Sequence, residues 1–123
     1  MPVVDAEGKT VGMITDRDLC MAAYTQAQPL MNIPVANAAS HGIVTVREHG
    51  SLDATESLMQ KHQIRRIPVV DESGRPVGIV SMNDLARHAH RGGQRHNGPS
   101  PDSILRTLAA VCQPTATHAP TPE

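Results

Sequence analysis

Between Ile67 and His90 the chain changes rhythm twice. Ile67-Pro68-Val69-Val70 and Val77-Gly78-Ile79-Val80 are short apolar runs rich in β-branched residues, separated by the polar cluster Asp71-Glu72-Ser73-Gly74-Arg75. The runs predict two strands and the cluster a tight turn, with Gly74 free to take positive φ. Pro68 has no amide hydrogen, which predicts a place at the start of its strand or at an unpaired edge position. Ser81 is set to cap a helix from Met82 to about His90.

The same pattern opens the chain. Met1 to Tyr24 aligns with Ile67 to His90 at a constant offset of 66 residues and without a gap. Pro2, Val3, Val4, Asp5, Gly8, Val11, Gly12, Asp18, Leu19 and Ala23 recur as Pro68, Val69, Val70, Asp71, Gly74, Val77, Gly78, Asp84, Leu85 and Ala89. Ten identities in twenty-three positions from Pro2, turn and cap residues among them, mark an internal duplication.

The remaining pattern completes the second copy only. In the first, residues 1–15 predict strand, turn and strand, and Thr15 or Asp16 opens a helix to about Thr25, with Pro29 as the stop signal. Ile33–Ala39 predicts a short helical turn and Ser40-His41-Gly42 a break. Ile43-Val44-Thr45-Val46 predicts a strand, and Ser51 caps a helix from Leu52 to about His62, whose apolar stripe is Leu52, Thr55, Leu58 and Met59. The second repeat is therefore strand–helix–strand–strand–helix, the first only strand–strand–helix. This divides the chain into an incomplete first repeat over 1–28, a linker and complete second repeat over 29–90, and a C-terminal part over 91–123. That last part reads as a polar, Gly-containing linker at Arg91–Pro99. A helix follows over Ser103–Cys112, capped by Ser100 or Asp102, with Ile104, Leu105, Leu108 and Val111 as its stripe. The tail from Gln113, with its prolines and threonines, predicts disorder.

Composition narrows the function classes. With 123 residues the chain can build a modest core, and with a single aromatic, Tyr24, that core is Val, Ile, Leu, Met and Ala. A net charge of −1 without a long basic run speaks against nucleic-acid binding, and one aromatic offers no stacking platform. Cys20 and Cys112 make no disulfide framework, and Cys20 is expected as a small core residue. No apolar run approaches the length needed to span a bilayer, and no secretory signal opens the chain, so a cytoplasmic setting with no membrane contact is expected. His88, His90 and His96 do not predict a metal site, because a spacing of two puts ligands on different helical faces and no Cys or carboxylate completes the set. No nucleophile stands with a base, and the chain is not expected to be an enzyme.

Two motifs carry a resemblance. Arg66 to Asp71 reads R-x-P-V-V-D, and Gly12 to Asp18 and Gly78 to Asp84 both read G-h-h-T/S-x-x-D, with h apolar. With the duplication, this pattern resembles the CBS domain family, whose tandem pairs form the Bateman module. The resemblance covers Met1 to about His90. It implies an α/β fold of tandem repeats with small sheets, related by a pseudo-two-fold axis. It also implies a regulatory, signal-transducing role through binding of adenine-containing nucleotides of the AMP, ATP, NAD or S-adenosylmethionine class, with no cofactor required. The implied partners are that small molecule, a second copy in a homodimer, and an unidentified effector protein. By matching positions, Asp18 and Asp84 would hold ribose hydroxyls, and Thr15 and Ser81 would hydrogen-bond ribose or phosphate. Arg65 and Arg66 would face phosphates, and Ile43, Val44, Ile67 and Pro68 would border the base.

The residues support those roles on their own terms. The glycine allows close backbone approach, the hydroxyl sits where strand turns into helix, and the aspartate falls in the first helical turn, whose unpaired amides favour anionic or hydroxyl-rich ligands. An ionised Asp can accept from two vicinal hydroxyls, each such bond worth about 1.5–3 kcal/mol. Phosphate charge is better met by arginine. The plain alternative is that Thr15, Ser81 and the aspartates are ordinary helix caps and first-turn acids. The matching rival function is a structural dimerisation module without a nucleotide ligand. The strand and helix that would precede Met1 in a complete repeat leave a gap, which a longer chain, a partner or the Ser103–Cys112 helix could fill. An open gap would expose Val3, Val11 and Met13.

Overall fold

The computed structural model describes residues 1–91 and 98–113. The predicted linker lies largely outside them, as do His96 and the tail from Pro114. The described residues form five strands and five α-helices, grouped into two compact units, one of Met1–His49 with Ile67–Ile79, the other of Gly50–Arg66 with the described residues from Val80 on.

In the first unit β1 (Pro2–Val4) and β2 (Thr10–Met13) form an antiparallel hairpin in which Pro2 faces Met13 and Val3 faces Gly12. Asp5 closes its turn by accepting from the amides of Glu7 and Lys9, both at 2.9 Å, and Gly8 takes φ +84°. Helix α1 (Asp16–Gln26) follows and ends on Ala27 in the left-handed region. A single 3-10 turn over Leu30–Asn32 and the short helix α2 (Val35–Ala38) pack back on α1. Ser40 then pairs with Met13, its amide donating at 2.8 Å, a bridge that the break predicted there did not anticipate.

A three-stranded sheet has the order β3–β4–β5, from Val46–Arg47, Arg66–Val70 and Pro76–Ser81. Strand β3 runs parallel to β4 with Val46 opposite Val69 and Arg47 opposite Val70. The strand expected over Ile43–Val46 is thus only two residues long, and Ile43 and Val44 lie in irregular chain before it. Extending the ladder would set Thr45 opposite Pro68, which has no N–H to give. Pro68 itself departs from expectation, being the third residue of the middle strand and fully buried. The β3 ladder begins at the next residue, so no partner on that side requires its amide. The turn after β4 repeats the first hairpin. Asp71 accepts from the amides of Ser73 and Arg75 at 2.9 Å, and Gly74 has φ +81°. The two hairpins meet where the Thr10 amide donates to the Gly74 carbonyl at 2.9 Å. Buried Ala22, Ile67, Pro68 and Val70 are the core of this unit.

The second unit is helical. Helix α3 (Leu52–His62) is capped by Ser51, whose hydroxyl accepts from the Ala54 amide at 3.1 Å, and it closes on Gln63 with φ 52°. Helix α4 (Met82–Arg91) follows β5 directly. Helix α5 (Pro101–Cys112) begins at its Ser100 cap, two residues earlier than expected, with proline in the first turn where a missing amide hydrogen costs nothing. It packs on α3 and α4. Met59, Met82, Leu85, Ala89 and Val111 are buried there.

One predicted face is wrong and another holds only in half. Cys20 is exposed rather than core, because α1 buries Ala22, two residues and about 200° further round the helix. On α5 the inward face is Thr107 and Val111, with Ser103, Ile104 and Ala110 half-buried, while Leu105 is 66% and Leu108 42% exposed. Of the apolar stripe read from the sequence, Ile104 and Val111 lie on the face that packs and Leu105 and Leu108 do not. Polar groups on α3 decide the orientation, as shown below. That packing on α3 and α4 is how α5 uses its buried face.

Candidate functional site

At both strand-to-helix corners a hydroxyl and a carboxylate close on each other. In the first unit the Thr15 amide donates to Asp18 Oδ2 at 2.8 Å, the Thr15 hydroxyl donates to the same oxygen at 2.9 Å, and the Asp18 amide donates back to Thr15 Oγ1 at 3.2 Å. In the second unit Ser81 and Asp84 repeat the set at 2.9, 2.7 and 3.2 Å. Both are reciprocal capping boxes, with Asp in the place more often held by Glu. The duplication therefore extends from sequence to individual hydrogen bonds.

This geometry satisfies the helix starts without a ligand. It also leaves capacity, since only Oδ2 of each aspartate is used among the described residues, and an ionised carboxylate has a second oxygen with its own lone pairs. The Ser81 hydroxyl and then its amide hold the Asp84 carboxyl below the usual carboxylate value, slight burial opposes them, and the nearby Arg87 guanidinium adds a smaller lowering. Asp84 is thus an acceptor-only group at neutral pH. Thr15 and Asp84 are exposed, while Ser81 and Asp18 are half-buried.

The glycines that open the two motifs differ. A Cβ on Gly12 would stand 2.6 Å from the Ser40 carbonyl oxygen, so this position is occupied by the chain's own backbone. A Cβ on Gly78 would meet nothing within 4 Å. Close approach is therefore taken by Ser40 at the first corner and is open at the second.

The arginines sit beside the second corner. Arg65 offers its carbonyl to the Met82 amide at 2.8 Å, one residue past Ser81, which brings the Arg65 backbone to the start of α4. Its Nη2 lies 3.5 Å from Cys112 Sγ at the end of α5. Arg66 is the first residue of β4, not a residue before it, and both arginines are exposed. Ile43 and Val44 are half-buried and Ile67 and Pro68 buried within the first unit. The sequence reading did not foresee the contact of Gln63, whose amide reaches the Ala110 carbonyl at 3.2 Å. No motif marks that contact, because it depends on where α5 packs.

Among the described residues no three His, Cys, Asp or Glu side chains are grouped to hold a metal ion, and no helix is long and apolar enough to cross a membrane.

Comparison with known proteins agrees with the duplication. A family model, that of the CBS domain, matches residues 1–24 and 35–91. The CBS domain-containing protein YhcV of Bacillus subtilis is 40% identical over 86 residues, which are 70% of this chain and 59% of that protein. Hypoxic response protein 1 of Mycobacterium tuberculosis is 28% identical over 116 residues, covering 94% of this chain and 73% of that one. Other relatives are longer, and the chain spans 17% of inosine-5′-monophosphate dehydrogenase of Nitrosopumilus maritimus and 20% of an uncharacterized protein of Methanocaldococcus jannaschii. Among solved structures, the CBS domain pair of protein MJ0100 in complex with 5′-methylthioadenosine and S-adenosyl-L-methionine superposes with a TM-score of 0.58 at 33% identity. The match covers 77% of this chain and 71% of that one. CBSX2 in complex with AMP gives a TM-score of 0.63 at 26% identity, covering 76% and 73%.

Proposed function

This chain belongs to the CBS domain family, and we propose that it is a regulatory module that senses an adenine-containing nucleotide of the AMP, ATP, NAD or S-adenosylmethionine class. Asp84 grips the ribose hydroxyls through its unused oxygen, Ser81 adds a hydroxyl contact, and Arg65 and Arg66 meet phosphate charge. Thr15 and Asp18 take the same roles at the first corner, and Ile43, Val44, Ile67 and Pro68 border the base. The observation that carries this reading is the spare carboxylate oxygen at each of two matching corners. Relatives of the same fold, the MJ0100 pair and CBSX2, were crystallised with adenosyl ligands. Signalling follows by linkage. The ligand shifts the balance between arrangements of the repeats, or of two copies in a homodimer read by an effector protein, by its difference in affinity for them.

The test is calorimetry with AMP, ATP, NAD and S-adenosylmethionine. At least one should bind, and Asp84→Ala should weaken it about ten-fold or more while the fold is retained, one charge-assisted bond being worth about 1.5–3 kcal/mol. Equal affinity in the variant would remove Asp84 from the site. The rival reading, a structural dimerisation module without nucleotide, draws support from the closure of both corners on themselves. Absence of both binding heat and a thermal upshift at millimolar ligand would favour it.

A further inference from the structure

Helix α5 meets α3 along a row of polar side chains beside the buried Met59 and Val111. Glu56, Gln60 and Gln63 follow one another at i, i+4 and i+7, and they meet Ser103, Thr107 and Ala110 at the same spacing on α5. The Ser103 and Thr107 hydroxyls donate to the Glu56 carboxylate, the Gln60 amide donates to Thr107 Oγ1 at 2.7 Å, and the Gln63 amide donates to the Ala110 and Gln113 carbonyls at 3.2 and 3.4 Å. Beyond Gln63, Arg65 lays its guanidinium against Cys112 Sγ at 3.5 Å, beside the end of α5 where unpaired carbonyls collect negative charge. The larger apolar side chains Leu105 and Leu108 face solvent instead.

We propose that α5 is an inhibitory strap, which when docked keeps the Arg65 side chain at its own C-terminal end and away from a ligand phosphate. The inference rests on the nucleotide reading above. A twelve-residue helix is marginal alone, so its presence depends on this docking, and a docking that includes exchangeable hydrogen bonds can be shifted by a competing ligand. Phosphate competes for Arg65 directly, since a guanidinium binds phosphate through paired charge-assisted bonds that a thiol cannot match. By reciprocity, whatever loosens α5 tightens phosphate binding, and a bound phosphate loosens α5.

The experiment compares AMP with adenosine, which lacks the phosphate, on the full chain. Calorimetry should show Thr107→Val binding AMP several-fold tighter than the unaltered protein, with adenosine unchanged. Arg65→Gln should weaken AMP, and the Thr107→Val gain should vanish in the double variant. Saturating AMP, but not adenosine, should speed amide exchange over residues 101–112. Should Thr107→Val fail to fold, Cys112→Ala, at an exposed position touching Arg65, must produce the AMP gain instead. Unchanged AMP affinity with unchanged exchange overturns the strap and leaves the sensor standing. Absence of binding by both AMP and adenosine in every variant overturns the strap, and the sensor falls with it where ATP, NAD and S-adenosylmethionine also fail to bind.

Discussion

The carboxylate of Glu56, in a residue only 5% exposed, accepts a hydrogen bond from the hydroxyl of Thr107, which is fully buried on the facing helix. A buried carboxylate is retained only where donors replace its water. Thr107→Val keeps the shape and removes the donor, so it should cost about 1–3 kcal/mol of stability in urea unfolding, while Thr107→Ser should cost less. The same substitution would leave Gln60 without its acceptor.

The paired glycines should part company. Gly12→Ala forces a methyl onto the Ser40 carbonyl and should destabilise by about 1–3 kcal/mol, with loss of the Met13–Ser40 bridge. Gly78→Ala meets open space and should stay within about 1 kcal/mol of the parent protein. Thermal melts of the two single variants check this.

Asp84 supplies a dependence on acid. Its folded-state carboxyl lies below the ordinary value of 3.8, so its contribution to stability is complete above that value and is lost as the pH falls through the lowered one. The stability gap between the unaltered protein and Asp84→Ala should therefore narrow as denaturant unfolding is moved from pH 6 toward pH 3. A constant gap would mean that the Ser81 bonds do not distinguish the ionised form.

Burial ranks the apolar positions against the sequence stripe. Leu105→Ala, at a residue 66% exposed, should change stability by about 0.5 kcal/mol or less. Met59→Ala, at a residue with no exposure, should cost about 2–5 kcal/mol. Equal effects at the two sites would contradict the packing of α5.

Local rules were readable wherever a residue acts on its own neighbours. The Asp5 and Asp71 turns, the left-handed Gly8 and Gly74, and the Thr15, Ser51 and Ser100 caps depend on contacts two to four residues apart, and such contacts are written in the order of the chain. The corners were readable for the same reason, although their closure into capping boxes was only one of the options. Misreadings fell where distant segments decide. Ile43 and Val44 have strand-forming side chains but no ladder beyond Val46, and Cys20 and Leu105 sit on faces that nothing in the structure covers among the described residues.

From the sequence alone came the duplication, the element order of both repeats and the family's motif residues, because periodicity, turn chemistry and capping are short-range. The packed chain decided that Gly12 makes room for Ser40, that α5 turns Thr107 rather than Leu105 inward, and that Arg65 reaches Cys112. A buried carboxylate on one helix demands hydroxyl donors from another, and that demand outweighs the burial of Leu105 and Leu108 from the helix's apolar stripe. It cannot be read until Glu56 and Thr107, 51 residues apart, are brought face to face.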